Sequence, residues 1–383
     1  MNIALFASAF YPSLGGVEEL CRQLAMELMR QGHGVIVLTN RWPRDLSATE
    51  TLDGIPIYRL PFRLPEGSAK AAINYHLTRS RIERDVLAIL RAHKINVLNI
   101  HCVSSNAHYA MIAQEKLNLP LVVTLHGELT MDANQVFQKS RQAQEILRSA
   151  LRRADTITAC SQRTLQDAES FFGETLGDKA RVILNGIDLN EFNGAVPHRH
   201  SRPYLFALGR LVNAKGFDIL LRAFATGIHA THDLFIAGEG AEKQALVALA
   251  VTLGVQENAH FPGRLGRDGV VSYMAGCDFF VLPSRQEPLG IVNLEAMASG
   301  KAVLASRVGG VPEIVTDGEN GLLVDGENVE RLAAGLQILI DDIALRNRMG
   351  NAGKKRAAQF AWPVVATKYL DVYEAAVAMG KDQ

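Results

Sequence analysis

The chain has four cysteines in 383 residues, Cys21, Cys102, Cys160 and Cys277, and no two of them form a C-x-x-C. That scarcity excludes a disulfide framework and a zinc ribbon and reads as a reduced, cytoplasmic protein. No apolar run reaches the ~18 residues at which a membrane-spanning helix becomes the default. Net charge is also missing: 40 basic residues stand against 40 acidic ones, which argues against a protein devoted to coating nucleic acid. There is no D-x-D and no His, Cys and Asp cluster at metal-ligand spacing, so neither a metal nor another cofactor is expected. Charged residues make up 21%, and the 32 glycines and 13 prolines form no repeats, which removes the disordered, collagen-like and coiled-coil classes. What remains is a length and a hydrophobic content, 48%, suited to two or three domains with real cores.

What is present is alternation. Apolar runs at Ile3–Ala9, Val35–Thr39, Ile95–Ile100, Leu121–Leu125 and Thr156–Cys160 read as strands. Val17–Gln31 reads as a helix with Leu20, Leu24, Leu28 and Met29 on one face. It is expected to stop at Gly32-His33-Gly34, because glycine readily takes the left-handed conformation of a C-terminal cap. Strands this uniformly apolar are buried on both faces, as in a parallel sheet covered by helices. The pattern lapses between Leu184 and Pro203, which suggests a linker, placed at 191–202. Strands then resume at Tyr204–Gly209, Leu234–Ala237, Phe279–Pro283, Ala302–Ser306 and Leu322–Val324. Helices intervene at Asp218–Ala225, Ala241–Leu253, Gly290–Ser299 and Val329–Asp341. The expected class is α/β, with Rossmann-like parallel-sheet domains over 1–190 and 203–360 facing across a cleft lined by strand carboxyl ends.

Three segments carry candidate chemistry. Pro12-Ser13-Leu14-Gly15-Gly16-Val17-Glu18 follows the first strand and opens a helix. Paired glycines there let backbone approach an anion, or simply make a tight turn. It is not G-x-G-x-x-G, and Gly238-Glu239-Gly240 fails that pattern because Lys243 holds the third glycine position. Gly209-Arg210-Leu211-Val212-Asn213-Ala214-Lys215-Gly216 ends a strand with two cations, which could hold one diphosphate or be two solvated surface charges. The third segment runs from Pro283 to Gly300 and sets Glu287 and Glu295 on either side of a Pro-Leu-Gly turn. That turn exposes the N–H groups of Leu289, Gly290 and Ile291, an anion site reinforced by the helix dipole. Carboxylates flanking it suit a sugar on one side and a ribose on the other. The plainer reading makes Glu287 a charge at a helix start and Glu295 a buried ion-pair partner.

Glu-x7-Glu within Pro-Ser-x-x-Glu-Pro-Leu-Gly-Ile-Val, preceded by Gly-Arg-Leu-x5-Gly-Phe-Asp, resembles the retaining glycosyltransferases of family 4, with the GT-B fold. Gly15-Gly16-Val17-Glu18, Thr124-Leu125-His126-Gly127, Asn185-Gly186-Ile187-Asp188 and Gly309-Gly310-Val311-Pro312-Glu313 are similar to further landmarks, in colinear order over nearly the whole chain. The resemblance implies a nucleotide-sugar donor held mainly by the second domain and a sugar, glycan or lipid-linked acceptor held mainly by the first. Arg210 and Lys215 then match the diphosphate-binding and catalytic positions. Glu287 matches the residue at the donor sugar, Leu289, Gly290 and Ile291 its backbone donors, and Glu295 the ribose carboxylate. Gly16 matches the loop over the phosphates, Arg264 and Leu265 the segment flanking the base, and His126 the active-site histidine. His101, Ser104 and Ser105 are read as lining the acceptor pocket. A last helix, Val364–Met379 within 361–383, is expected to return to the first domain.

UDP-glucose or UDP-N-acetylglucosamine is the expected donor, with GDP-mannose as runner-up, and polysaccharide or glycoconjugate synthesis the expected setting. The alternative is a nucleotide-sugar epimerase of the same architecture. Arg59, Arg63, Lys70, Arg79, Arg81 and Arg84 surround a stretch with Pro61, Pro65 and Gly67. They read as a solvated basic face or as a patch for peripheral contact with the inner face of a membrane, where anionic lipid favours each nearby cation by ~1 kcal/mol.

Overall fold

A computed structural model of the chain describes residues 1–13, 15–64, 69–131 and 136–379. Leu14, Pro65, Gly67 and the side chain of Lys70, all named above, lie outside the described residues. The chain divides into two compact units. One comprises Met1–Gly186 with the C-terminal segment from Trp362, the other Ile187–Ala361.

The first unit is built on β1 (Asn2–Ala7), β2 (Gly34–Asn40), β3 (Thr49–Leu52), β4 (Ile55–Leu60), β5 (Val97–His101), β6 (Leu121–Leu125), β7 (Thr156–Ala159) and β8 (Ala180–Val182). They form one sheet in the order β3-β4-β2-β1-β5-β6-β7-β8, in which β3 and β4 pair antiparallel and the other neighbours pair parallel. The β3–β4 hairpin has no counterpart in the sequence expectation. Its turn is Asp53-Gly54, with φ of 51° and 82°, the backbone of a type I′ turn that matches strand twist. Pro56 conceals β4 from a pattern reading. It precedes the ladder with β2, which starts at Ile57, so its missing N–H leaves no gap there.

Alternation along β1 distributes the core. Ile3, Leu5 and Ala7 pack with Leu20, Leu24 and Leu28 of helix Gly16–Arg30 and with Tyr369 and Tyr373 of helix Trp362–Met379. Ala4 and Phe6 face the opposite layer, with Ile82 and Val86 of helix Ala69–Ala92 and Ala107 and Tyr109 of helix Ser105–Leu117. Burying each large apolar side chain stabilises by about 1.5–3 kcal/mol. The C-terminal helix is held by polar contacts as well. Tyr373 donates to Asn99 Oδ1 at 2.7 Å, and Asn99 donates to Thr124 Oγ1 at 2.8 Å. Gly186 lies flat on the Trp362 indole, where a Cβ would come within 2.6 Å of the ring.

The second unit contains β9 (Tyr204–Leu208), β10 (Asp233–Ala237), β11 (Ala259–Gly263), β12 (Phe280–Leu282), β13 (Val303–Ser306) and β14 (Gly321–Val324). Their order is β11-β10-β9-β12-β13-β14, all parallel. The segment read as a linker is packed onto this unit. Phe192 is buried, His198 N–H donates to Ser272 O at 2.9 Å, and the His198 ring stacks on Tyr273 with centroids 3.9 Å apart. A run of histidines, polar by composition, has found aromatic partners. In both sheets the strand order reverses beside the first strand, between β1 and β5 and between β9 and β12. Loops diverge there and leave a crevice at the carboxyl ends. No helix among the described residues is long and apolar enough to cross a membrane.

Candidate active site

In the second unit the loops leaving β9 and β12 carry the expected cations and glutamates. Leu211 is fully buried and anchors the β9 loop, while Arg210 stands exposed at its start. A 3-10 turn at Asn213–Lys215 carries Lys215 toward the β12 loop. There Lys215 Nζ forms an ion pair with Glu287 Oε2, and Ser284 Oγ donates to the same oxygen at 3.1 Å. The Lys215 side chain is 12% exposed and that of Glu287 7%, so Lys215 is not a solvated surface cation.

Backbone contacts that admit no side chain hold these loops together. Gly216 has φ 65°, and a Cβ on it would lie 2.0 Å from Pro283 O. Gly309 has φ 56°, and its Cβ would lie 1.7 Å from Glu287 O, which also accepts from Gly310 N–H at 3.1 Å. The Gly238-Glu239-Gly240 turn, rejected as a dinucleotide fingerprint, braces the β9 loop instead. Leu211 N–H donates to Glu239 O at 2.9 Å. Arg285 is a positioning residue that sequence reasoning missed. Its guanidinium takes both oxygens of Asp218 at 2.7 and 2.8 Å, Glu327 at 2.9 Å and Asn213 O at 2.8 Å. The Arg285 hydrogen bonds hold the Asp218 carboxyl below its usual pKa. No local pattern signals this fork, because Asp218 is 67 residues away in sequence.

Gly290, with φ 84°, caps helix Ile291–Ala298, whose first N–H groups have no acceptor within the helix. Leu289 is buried beside it and Ile291 opens the helix. Asn293, in the first turn, is fully buried, with no partner for either amide atom among the described residues. Glu295 is also buried, and Arg267 donates to its Oε1 at 2.5 Å. The same guanidinium donates to Glu191 Oε2 at 2.6 Å and lies 5.2 Å over the Phe192 ring. Glu295 is thus an ion-pair partner here, as the plainer reading has it, and Arg267 and Glu191 are further residues that pattern did not find. Arg264, exposed, and Leu265 occupy the loop that leads into helix Arg267–Gly276.

The first unit holds the histidines. His101 ends β5, His126 follows β6, and His101 Nδ1 lies 3.1 Å from His126 Nε2 with the rings stacked. One ring donates and the other accepts, so the pair leaves one N–H and one lone pair over. These fall on His101 Nε2 and His126 Nδ1, both buried and unpartnered among the described residues. Burial lowers the His126 pKa to about 4 and holds His101 well below its ordinary value, with His126 adding repulsion. Both rings are therefore neutral at pH 7. Glu128, unnoticed in the sequence, ties their loops by accepting from His126 N–H at 2.8 Å and Val103 N–H at 3.4 Å. Its own pKa is raised by burial. The available signal was an acid opening a short helix two residues after His126.

Ser104 donates through both N–H and Oγ to Asn106 Oδ1 at 2.9 Å, which engages its hydroxyl within its own turn. Ser105 opens the next helix and is partly exposed. Gly16 is the first residue of helix Gly16–Arg30, and a Cβ there would meet nothing within 4 Å. The fold imposes no glycine at 16, so the tight-turn reading does not account for it. The basic patch needs correction. Arg59 is buried, donating to Tyr11 O and Glu50 Oε1, both at 2.5 Å, because its position on β4 turns it under the loop after β1. Arg79 and Lys116 both pair with Glu83, and Arg81 lies 3.8 Å from Asp85, so this face carries mixed charge.

Comparison with known proteins places these loops in context. The family model described as glycosyl transferases group 1 matches residues 190–356, and that described as glycosyltransferase family 4 matches residues 14–191. An uncharacterized glycosyltransferase of Methanocaldococcus jannaschii is 30% identical over 99% of both chains. Glycogen synthase of Mycobacterium tuberculosis is 29% identical over 97% of this chain and 94% of its own length. Among solved structures, Anabaena HepE in complex with UDP-glucose is similar with a TM-score of 0.76 and 21% identity, over 97% of this chain and 99% of that one. The epimerase alternative gains no support from these matches.

Proposed function

The chain belongs to the group 1 and family 4 glycosyltransferases, and from that premise we propose that it moves a hexosyl unit from a nucleoside-diphosphate sugar to an acceptor hydroxyl, with retention and without a metal. The observation that carries this reading is the largely buried Lys215–Glu287 pair, set beside Arg210 and the Gly290 helix start at the switch point of one sheet. Breaking the anomeric bond puts extra negative charge on the β-phosphate. Fixed cations and oriented N–H groups stabilise that charge without reorganising. In the ligand-free protein Lys215 neutralises Glu287. An arriving diphosphate competes for the ammonium and releases the carboxylate to accept from sugar hydroxyls.

Glu287 is a poor candidate for a covalent nucleophile, because Lys215 and Ser284 both draw on its charge at Oε2. Retention is better served by an acceptor entering on the leaving-group face, with phosphate oxygen taking its proton. Glu295, whose Oε1 accepts from Arg267, is assigned to the ribose through its other oxygen, Arg264 and Leu265 to the base, Gly16 to the phosphates, and Leu289, Gly290 and Ile291 to the anion. His126, neutral at working pH, offers a hydrogen bond rather than a charge. His101, Ser104 and Ser105 are the proposed acceptor side, with Ser105 freer than Ser104. UDP-glucose leads the donor candidates, since HepE binds it on the same fold and its sugar is the unit found in glycogen.

The test is Arg210→Ala with the natural donor. A charged hydrogen bond is worth about 1.5–3 kcal/mol, so turnover should fall ~10–100-fold. Unchanged turnover removes the leaving-group role. Transfer should also survive EDTA, because Arg210 and Lys215 supply the positive charge a metal otherwise would. Activity lost on chelation and restored by Mg²⁺ or Mn²⁺ refutes that part.

A further inference from the structure

At the amino ends of the strands of the second sheet, opposite the carboxyl ends that carry the proposed donor loops, three residues distant in sequence converge. His200 precedes β9, Asp233 is the first residue of β10, and His260 is the second of β11. His200 Nε2 lies 2.6 Å and His260 Nε2 3.1 Å from one oxygen, Asp233 Oδ2. All three potential ligand atoms fall within 4.8 Å of one another. The local-spacing reading missed this group because no two of its members are close in sequence.

We propose that His200, Asp233 and His260 form a binding site for a divalent transition-metal ion of the zinc class. The donor set is two imidazoles and one carboxylate, which suits zinc or cobalt and not the oxygen-preferring magnesium or calcium. The carboxylate is already oriented as a ligand should be. Asn258 donates to Oδ1 at 3.0 Å and Arg202 Nε lies 3.2 Å from that same atom, which turns Oδ2 toward both rings. Such support fixes a ligand's direction. Asp233 is buried, and its pKa is lowered although burial opposes ionisation, because Asn258, His200, His260 and Arg202 all favour the carboxylate. Phe235 stacks on His260 with centroids 4.6 Å apart and meets His200 edge-on at 5.1 Å, an apolar wall that limits ring rotation.

Metal entry requires each imidazole to turn its Nε2 lone pair inward. Where a ring donates through Nε2, that nitrogen must give up its proton before it can ligate, and Nδ1 is the ring position that can carry it. Ligand atoms around a tetrahedral ion at ~2.0–2.1 Å stand roughly 3.3 Å apart, so His200 and Asp233, now at 2.6 Å, must separate by about 0.7 Å. Three protein ligands leave a fourth position for water. Arg202 offsets the charge of Asp233, so the expected dissociation constant is on the order of micromolar, far weaker than a closed zinc-finger site. The bound ion would tie the segment before β9 to the edge of the sheet. It lies roughly 15 Å, the length of a five-residue strand, from Arg210 and Lys215, so it stabilises the unit without joining in transfer.

The experiment is equilibrium dialysis of the full chain with Zn²⁺, and visible absorption with Co²⁺ as a probe of coordination. The variants are His200→Gln and His260→Gln, whose side chains still donate to Asp233 but ligate poorly. One ion per chain is expected, with a raised Tm, affinity at least ~10-fold weaker in either variant, and unchanged turnover. Circular dichroism confirms that the variants are folded, and Asp233→Asn gives a third reading. No saturable ion in the wild type, or binding that persists in both glutamine variants, overturns the proposal. Either result leaves the transferase reading intact, since the dialysis involves no donor.

Discussion

The two units use the same sheet logic to opposite electrostatic ends. At the switch point of the second, charge is concentrated: Lys215 with Glu287, Arg285 with Asp218, Arg267 with Glu295 and Glu191. At the corresponding strand ends of the first, two stacked histidines are kept neutral by burial, and Glu128 is shifted toward its protonated form. A diphosphate needs fixed positive charge, whereas a sugar hydroxyl needs directed hydrogen bonds and no competing ions. The difference teaches that fold alone does not set a crevice's chemistry. The side chains at the strand ends do.

The sharpest way to break this contrast is Lys215→Ala. It removes the cation and leaves Glu287 buried without its partner, which should destabilise the second unit by about 3 kcal/mol. Activity, read as kcat/KM, should fall by about 100-fold. Adding Glu287→Gln should recover the Tm but not the activity. Recovery of both would show the pair to be structural only.

The glycines give a second contrast. Gly309→Ala forces a Cβ onto Glu287 O from a left-handed backbone, so urea denaturation should show a loss of about 1–3 kcal/mol or more. Gly16→Ala meets no atom and should leave stability within ~0.5 kcal/mol, while raising KM for the donor. A stable Gly309→Ala with full activity would show that this backbone contact does not hold the Glu287 loop.

A smaller effect comes from acid. His101 and His126 titrate in the folded chain below the ordinary histidine value, so between about pH 6.5 and 4 the unfolded chain binds protons that the folded one does not. Stability from these groups is complete above about pH 7 and is lost as pH falls through that window. Tm measured against pH should decline there, with a shallower slope in His126→Asn. Identical slopes would mean that the pair is not buried neutral.

Much of the frame was legible beforehand. Helix Gly16–Arg30 was expected at Val17–Gln31, and β6 at the residues it occupies, because apolar period and glycine stops are local properties. The hairpin at Thr49–Leu60 was not, since polar edge residues and Pro56 mask its period. The long helix Ala69–Ala92 was likewise read as a basic stretch. In the site, Arg210, Lys215, Glu287 and Glu295 could be named from spacing, but not that Lys215 pairs with Glu287 or that Arg267 pairs with Glu295. Arg285 and Arg267 act through partners on other loops, and nothing within a few residues of them signals that, whereas Glu128 had a local signal beside His126 but none for its bond to Val103.

What the sequence determined by itself was the repeated α/β rhythm and the ends of strands at which charged and glycine-rich turns fall. Tertiary structure alone decided which turns meet. That choice depends on strand order, and strand order brings Lys215 to Glu287, His101 to His126 and His200 to His260 across dozens of intervening residues. Hydrophobic period specifies that a strand is buried, whereas its neighbour is selected by the packing of whole layers.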